Sequence, residues 1–222
     1  MKQLTVNEAA AFLLARDRFV ILTHRRPDGD TIGCAAALCG GLRALGKQAA
    51  ILENPQFTPK FRPYLEGLTC PAVQDGDCIV AVDIATERIF AYNAAELPSR
   101  VELVIDHHGR NSAYAANGLV EPQTAACGEI VLRVLQAMGV PLSKRIAEAL
   151  YVAISTDTGC FRYANTTAHT FATAAACAQA GARVYELNMD LFETNTLSRL
   201  KMQGWIVDNM KMLRDGKMCI CA

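Results

Sequence analysis

Nowhere in the 222 residues is there an apolar run long and uncharged enough to cross a bilayer. The N-terminus also lacks the basic-then-apolar order of a secretory signal, because Glu8, Arg16 and Asp17 interrupt its apolar stretch. Net charge is missing too: 22 Lys+Arg against 22 Asp+Glu leaves a formal +0. That balance argues against holding long nucleic acid on a basic surface. It leaves room for a small anionic substrate gripped by metal ions and a few local arginines. The nine cysteines include no Cys-x-x-Cys pair, so neither a disulfide framework nor a zinc cluster is indicated. Scattered single thiols suit a reducing cytosol. The expectation is a cytoplasmic protein with no membrane partner. A homo-oligomer is left open.

What is present is an alternation of strand and helix. Apolar runs at Arg18–Thr23, Gln48–Leu52, Cys78–Val82 and Val101–Ile105 read as buried strands. Glu8–Arg16, Gly33–Leu45, Gly128–Met138, Lys144–Ile154 and Thr167–Ala180 read as helices. Strands that are apolar throughout need cover on both faces, which predicts an α/β fold with a mostly parallel sheet flanked by helices. Thr196–Leu213 is expected to form a linking helix. After it, Asp215-Gly216 makes a turn and Lys217–Cys221 begins a strand without a partner.

Ligands of open α/β sheets gather beyond the carboxyl ends of the strands, and four polar clusters are expected there. His24-Arg25-Arg26-Pro27-Asp28-Gly29-Asp30 follows the first strand. It reads either as a metal pocket or as a polar turn capping the next helix. Asp83 follows the third strand and by itself reads more readily as a cap. Asp106-His107-His108 follows the fourth. Its histidines point different ways, so one suits a metal and the other a substrate, unless both merely sit on a surface loop. Asp157 lies in Ser155-Thr156-Asp157-Thr158-Gly159, just past another apolar run. Histidine is scarce, four in all, and three of the four fall in these clusters; His169 reads as structural or exposed. Together, carboxylate and imidazole donors without cysteine suit Mn²⁺ or Mg²⁺ rather than structural zinc. Two such ions would activate water and neutralise a phosphoryl group.

Taken in order, His24-x-x-Pro27-Asp28-Gly29-Asp30, Asp83, Asp106-His107-His108 and Thr156-Asp157-Thr158-Gly159 resemble the DHH phosphoesterase superfamily. The nearest likeness is to its bacterial nano-RNase and pAp phosphatase branch (pAp is adenosine 3′,5′-bisphosphate). Cys160-Phe161-Arg162-Tyr163, Gly128-Glu129 and Ser198-Arg199-Leu200-Lys201 extend the likeness over nearly the whole chain. The resemblance implies two divalent ions, Mn²⁺ before Mg²⁺ or Co²⁺. His24 and Asp28 would hold one, Asp30, His107 and Asp157 the other, and Asp83 both. It implies catalytic roles for His108, facing the scissile phosphate, and for Asp106, supporting the histidines. Arg110, Asn111 and Arg162 are the looser candidates for phosphate contact.

The implied substrate is a small nucleotide or very short RNA: oligoribonucleotides cut to nucleoside monophosphates, or pAp to AMP. Cyclic or linear dinucleotides and inorganic pyrophosphate are the enzymatic alternatives, and a nucleotide-binding module is the non-enzymatic one. Two departures stand out. Cys34 occupies a place where the family usually has serine, which would weaken a helix cap. The branch's second, substrate-binding domain with its glycine-rich, histidine-containing motif has no counterpart in the sequence. The expected division is therefore a DHH catalytic domain over 1–190, with 191–222 as a linker helix and the first strand of a truncated second domain.

Overall fold

The computed structural model describes residues 1–221, so Ala222, the end of the expected second domain, lies outside the described residues. The chain forms two compact units, one over Met1–Val184 and one from Tyr185 onward.

In the first unit, β1 (Lys2–Gln3), α1 (Val6–Leu14), β2 (Arg18–Leu22), α2 (Gly29–Ala44) and β3 (Gln48–Leu52) come first. They are followed by α3 (Arg62–Leu65), β4 (Thr69–Cys70), β5 (Cys78–Val82), β6 (Val101–Asp106) and β7 (Asn117–Val120). Then come α4 (Cys127–Ala137), α5 (Lys144–Asp157) and α6 (Ala168–Gln179). The seven strands make one sheet in the order β1-β7-β6-β5-β2-β3-β4, and every pairing in it is parallel. The expected parallel α/β sheet is present. After β2 the chain builds outward through β3 and β4, then returns to build β5, β6 and β7 on β2's other side. The carboxyl ends of β2 and β5 therefore flank a topological switch point, where a crevice opens in sheets of this kind.

Local chemistry explains the helix starts. Thr5 and Glu8 form a capping box for α1, Ser143 caps α5, and Thr167 with Thr170 boxes the start of α6. α2 packs tightly on α5 because its facing residues are small. A Cβ on Gly33 would come within 2.2 Å of the Ala149 carbonyl, and one on Gly29 within 2.4 Å of the Thr156 side chain. Below the sheet, Val20, Leu22, Ile79, Ala81 and Val104 pack with Phe90, Ala91 and Ala94 from short 3₁₀ turns.

Several local expectations change. α2 begins at Gly29 rather than Gly33, because the Asp28 carboxylate accepts from Asp30 N (3.1 Å) and Thr31 N (3.3 Å) and starts the helix early. Cys34 is thus a buried residue inside α2, away from any cap; its thiol donates to Asp30 Oδ1 at 3.2 Å. The fourth cluster is not at a strand end: α5 runs on to Asp157, so that carboxylate ends a helix. β7 went unread because Asn117-Gly118 resembles a turn.

The second unit holds α8 (Leu197–Asp208) and an antiparallel hairpin of β8 (Lys211–Leu213) and β9 (Met218–Ile220), after α7 (Val184–Asn188) and a π-helical turn at Met189–Glu193. The expected linking helix therefore stops at Asp208 instead of Leu213. The last strand has a partner after all, Lys211–Leu213 pairing with it across the Asp215-Gly216 turn. No helix among the described residues is long and apolar enough to cross a membrane.

Candidate metal centre

Three chain ends meet at the switch point. β2 delivers His24, β5 delivers Asp83 and β6 delivers Asp106 to His108, while the first turn of α2 supplies Asp28 and Asp30 and the end of α5 supplies Asp157. Thr31 locks two of these elements together, donating from Oγ1 to Val82 O at 3.0 Å. Asn54, just beyond β3, donates to Thr23 Oγ1 (3.2 Å) and His24 O (2.9 Å) and fixes the end of β2. Its signal in the sequence was an asparagine placed after an apolar strand, as for the acidic clusters.

All six residues expected as metal ligands come together. Their candidate donor atoms form the groups His24–Asp28–Asp83 and Asp30–His107–Asp157, with Asp83–His107–His108 between them; within each group the atoms lie within 4.8 Å of one another. His24 Nε2 is 3.5 Å from Asp28 Oδ1 and 3.7 Å from Asp83 Oδ2. His107 Nε2 is 3.3 Å from Asp157 Oδ2, 3.5 Å from Asp83 Oδ1 and 3.8 Å from Asp30 Oδ2. Asp83 thus offers one oxygen to each side.

The imidazoles are prepared for the task. His24 Nδ1 lies 2.9 Å from Arg25 O, and His107 Nδ1 lies 3.1 Å from Thr124 O. A carbonyl only accepts, so each Nδ1 carries the proton and each Nε2 keeps its lone pair for a cation. Asp30 is held by α4's N-terminus, with Cys127 N at 2.6 Å and Gly128 N at 3.0 Å.

Burial works against these carboxylates as anions. It pushes Asp30 and Asp83 well above the usual carboxylate range, helped by Asp157 beside Asp30 and by Asp30 beside Asp83. Asp157 is also raised, again chiefly by burial. Two further observations are consistent with a cation here. Asp83 is 2% exposed, yet its Oδ1 has no hydrogen-bond partner, and a buried acceptor left bare is costly unless something else neutralises it. Asp83 also sits at φ +56°, a left-handed conformation held at some cost and typical of functional positions.

These shifts set a pH dependence. A carboxyl whose folded pKa lies above its unfolded one stabilises the fold fully below the unfolded pKa. That contribution is lost as pH rises through the folded value. Asp30, Asp83 and Asp157 behave this way. His24 does too: burial opposes its charge most strongly, but Asp28 and the Arg25 carbonyl together outweigh it. The metal-free chain should therefore melt at a lower temperature at about pH 8 than at about pH 5, and Mn²⁺ should raise the midpoint more at the higher pH. Melting curves with chelator and with Mn²⁺ check this; an equal or smaller gain at high pH contradicts it.

The other expected residues divide. Asp106 is buried and accepts from His108 Nδ1 and Asn111 Nδ2, both at 2.7 Å, and from His107 N at 2.9 Å. Burial favours its neutral form, but these bonds prevail and hold it below the usual range. His108 is raised, first by Asp106. Asn111, expected at a phosphate, spends its amide on Asp106 and Ile84 O. Arg162 Nε donates to Gly159 O at 2.7 Å, and Arg110 is exposed beside the histidines.

Comparison with known proteins gives the family. The sequence model described as DHH family, N-terminal domain, matches residues 18–154. A bifunctional oligoribonuclease and PAP phosphatase NrnA from Thermus thermophilus is 32% identical over 200 residues, covering 86% of this chain and 58% of that protein. The NrnA of Bacillus subtilis is 28% identical over 207 residues, covering 90% and 64%. The chain thus spans about three fifths of the length of these relatives. In fold, the crystal structure of an exopolyphosphatase-related protein from Bacteroides fragilis superposes with a TM-score of 0.85 at 21% identity, covering 95% of this chain and 66% of that one. The chain belongs to the DHH family.

Proposed function

We infer that the first unit is the catalytic part of a metal-dependent phosphoesterase acting on very short oligoribonucleotides and on pAp. The observation that carries this reading is Asp83, whose two oxygens serve two adjoining groups of hard donors. One ion would be held by His24, Asp28 and Asp83, the other by Asp30, His107, Asp157 and Asp83, with Mn²⁺ favoured by the mixture of carboxylates and imidazoles. When bound, such a pair supplies Lewis-acid charge neutralisation and an activated water for in-line attack on phosphorus. The names of the relatives support a substrate of short RNA or pAp, and the balanced charge of the chain favours a small anion over a long polymer.

The chain's own residues supply the rest. Asp106 fixes His108 through Nδ1, leaving Nε2 to give or take a proton at a phosphate ester oxygen. Asn111 keeps Asp106 turned toward His108. Arg110, with no ion-pair partner among the described residues, is the candidate for an unreacting phosphate oxygen. The test is hydrolysis of a diribonucleotide and of pAp, with cyclic di-AMP and pyrophosphate alongside. Activity on the first two should vanish with chelator and return best with Mn²⁺. Full activity after exhaustive chelation and dialysis would sink the metal mechanism, and a preference for pyrophosphate would redirect the substrate.

A further inference from the structure

Asp157 reaches the centre from the end of α5, and the chain just after it is bent hard. Gly159, Cys160 and Phe161 have φ of +56°, +58° and +63° in succession. Left-handed geometry is unfavourable at a cysteine and a phenylalanine, so something must hold the turn closed. Phe161 N donates to Thr158 Oγ1 at 3.1 Å, and the Phe161 ring stacks on Phe171 with centroids 5.5 Å apart. The turn carries the chain back so that Asn165 lies beside the residue it has just left.

The Asn165 amide nitrogen has two hydrogens and two acceptors. It donates to Asp157 O at 3.1 Å and to Ala125 O, also at 3.1 Å. Ala125 belongs to a five-residue segment that already touches the other two ligands of the same group. Thr124 O takes the Nδ1 proton of His107. Cys127 N and Gly128 N hold both oxygens of Asp30. Asp30 and His107 are thus referenced to segment 124–128, and Asn165 is the direct tie between that segment and Asp157.

We propose that Asn165 is a positioning residue for the Asp30–His107–Asp157 ion site, setting where Asp157 stands relative to the other two ligands. This rests on the metal-centre reading above. Partners that orient ligands from behind change metal affinity by about 10–100-fold when lost. A merely structural amide at a helix end would lower stability without that selectivity.

The experiment is calorimetric titration of the full chain with Mn²⁺ alone, comparing it with Asn165→Ala, Asn165→Asp and Ser143→Ala. Asn165→Asp keeps the side-chain shape while replacing the amide donor by a carboxyl group, which covers the case of an alanine variant that does not fold. Ser143→Ala removes a cap at the opposite end of α5 and controls for general weakening. Both Asn165 variants should bind one of the two ions about 10–100-fold more weakly and the other unchanged. Ser143→Ala should titrate like the unsubstituted chain even where its metal-free melting point falls. Unaltered Mn²⁺ affinity in a folded Asn165 variant overturns the proposal alone, as does equal weakening of both ions. No Mn²⁺ binding by the unsubstituted chain overturns the metal-centre reading and the proposal with it.

Discussion

Asp83→Asn is expected to fold normally and to lose turnover by about 10²–10³-fold. Asp83 has Oδ2 3.7 Å from His24 Nε2 and Oδ1 3.5 Å from His107 Nε2, so in the proposed two-ion arrangement its loss weakens both sites, whereas loss of Asp28 or Asp157 weakens one. An amide at this place offers one neutral oxygen and turns an N–H₂ toward a cation. The fold should not suffer in the absence of metal. Burial and the neighbouring Asp30 already disfavour the Asp83 anion, so a neutral side chain relieves a cost at neutral pH and above. Asparagine also tolerates φ +56°, where alanine would be less favourable by about 1–2 kcal/mol. The metal-free melting point of Asp83→Asn should therefore equal or exceed that of the unsubstituted chain, and Asp83→Ala should fall below Asp83→Asn. Turnover of a diribonucleotide with saturating Mn²⁺, measured beside those melting points, checks this. Near-normal turnover would remove Asp83 from the centre.

His108→Ala should behave differently, slowing turnover by about 10²–10⁴-fold while keeping the ions. Its Nδ1 is taken by Asp106, and its side chain is 46% exposed, so it is open to substrate in a way His107 (14%) is not. Asp106→Asn should reproduce much of the loss, since His108 then loses the negative charge that favours its charged form, and an amide that can present either its oxygen or its N–H₂ no longer fixes the tautomer. A proton-transfer role also predicts that the pH profile of turnover loses a limb in His108→Ala and that the limb moves to lower pH in Asp106→Asn. A merely steric role would scale the profile without reshaping it. The geometry sharpens the test, because His108 Nδ1 is also only 3.5 Å from Asp83 Oδ1. If His108→Ala sheds metal as readily as the Asp83 variants, His108 is a ligand and the division between the two adjacent histidines is wrong.

The parallel sheet was legible because strands buried on both faces read as mainly apolar runs, as β2, β3, β5 and β6 do despite Arg18, Gln48 and Glu102. Their polar terminations marked the first three clusters. The fourth cluster was placed at a strand end although Lys144–Ile154 reads as a helix, and Asp157 ends that helix, α5. Lys211–Leu213 was read as the continuation of a helix, because its pairing with Met218–Ile220 has no local signal stronger than the Asp215-Gly216 turn. The supporting contacts were the least legible. Thr124 and Ala125 act through backbone carbonyls, which any residue possesses, and Asn165 reaches Ala125 only because three left-handed residues fold the chain back. Asn111 was visible as a polar neighbour of the histidines, but the sequence does not say that its amide faces Asp106 rather than a phosphate.

The proposed metal centre has one aspartate, Asp83, joining two ion sites, with His108 apart from them. Its most direct test is the manganese content of the unsubstituted chain, Asp83→Asn and His108→Ala after equilibration with limiting free Mn²⁺ and gel filtration. About two ions per chain are expected in the first and third and fewer than one in Asp83→Asn. Two ions retained by Asp83→Asn would contradict it.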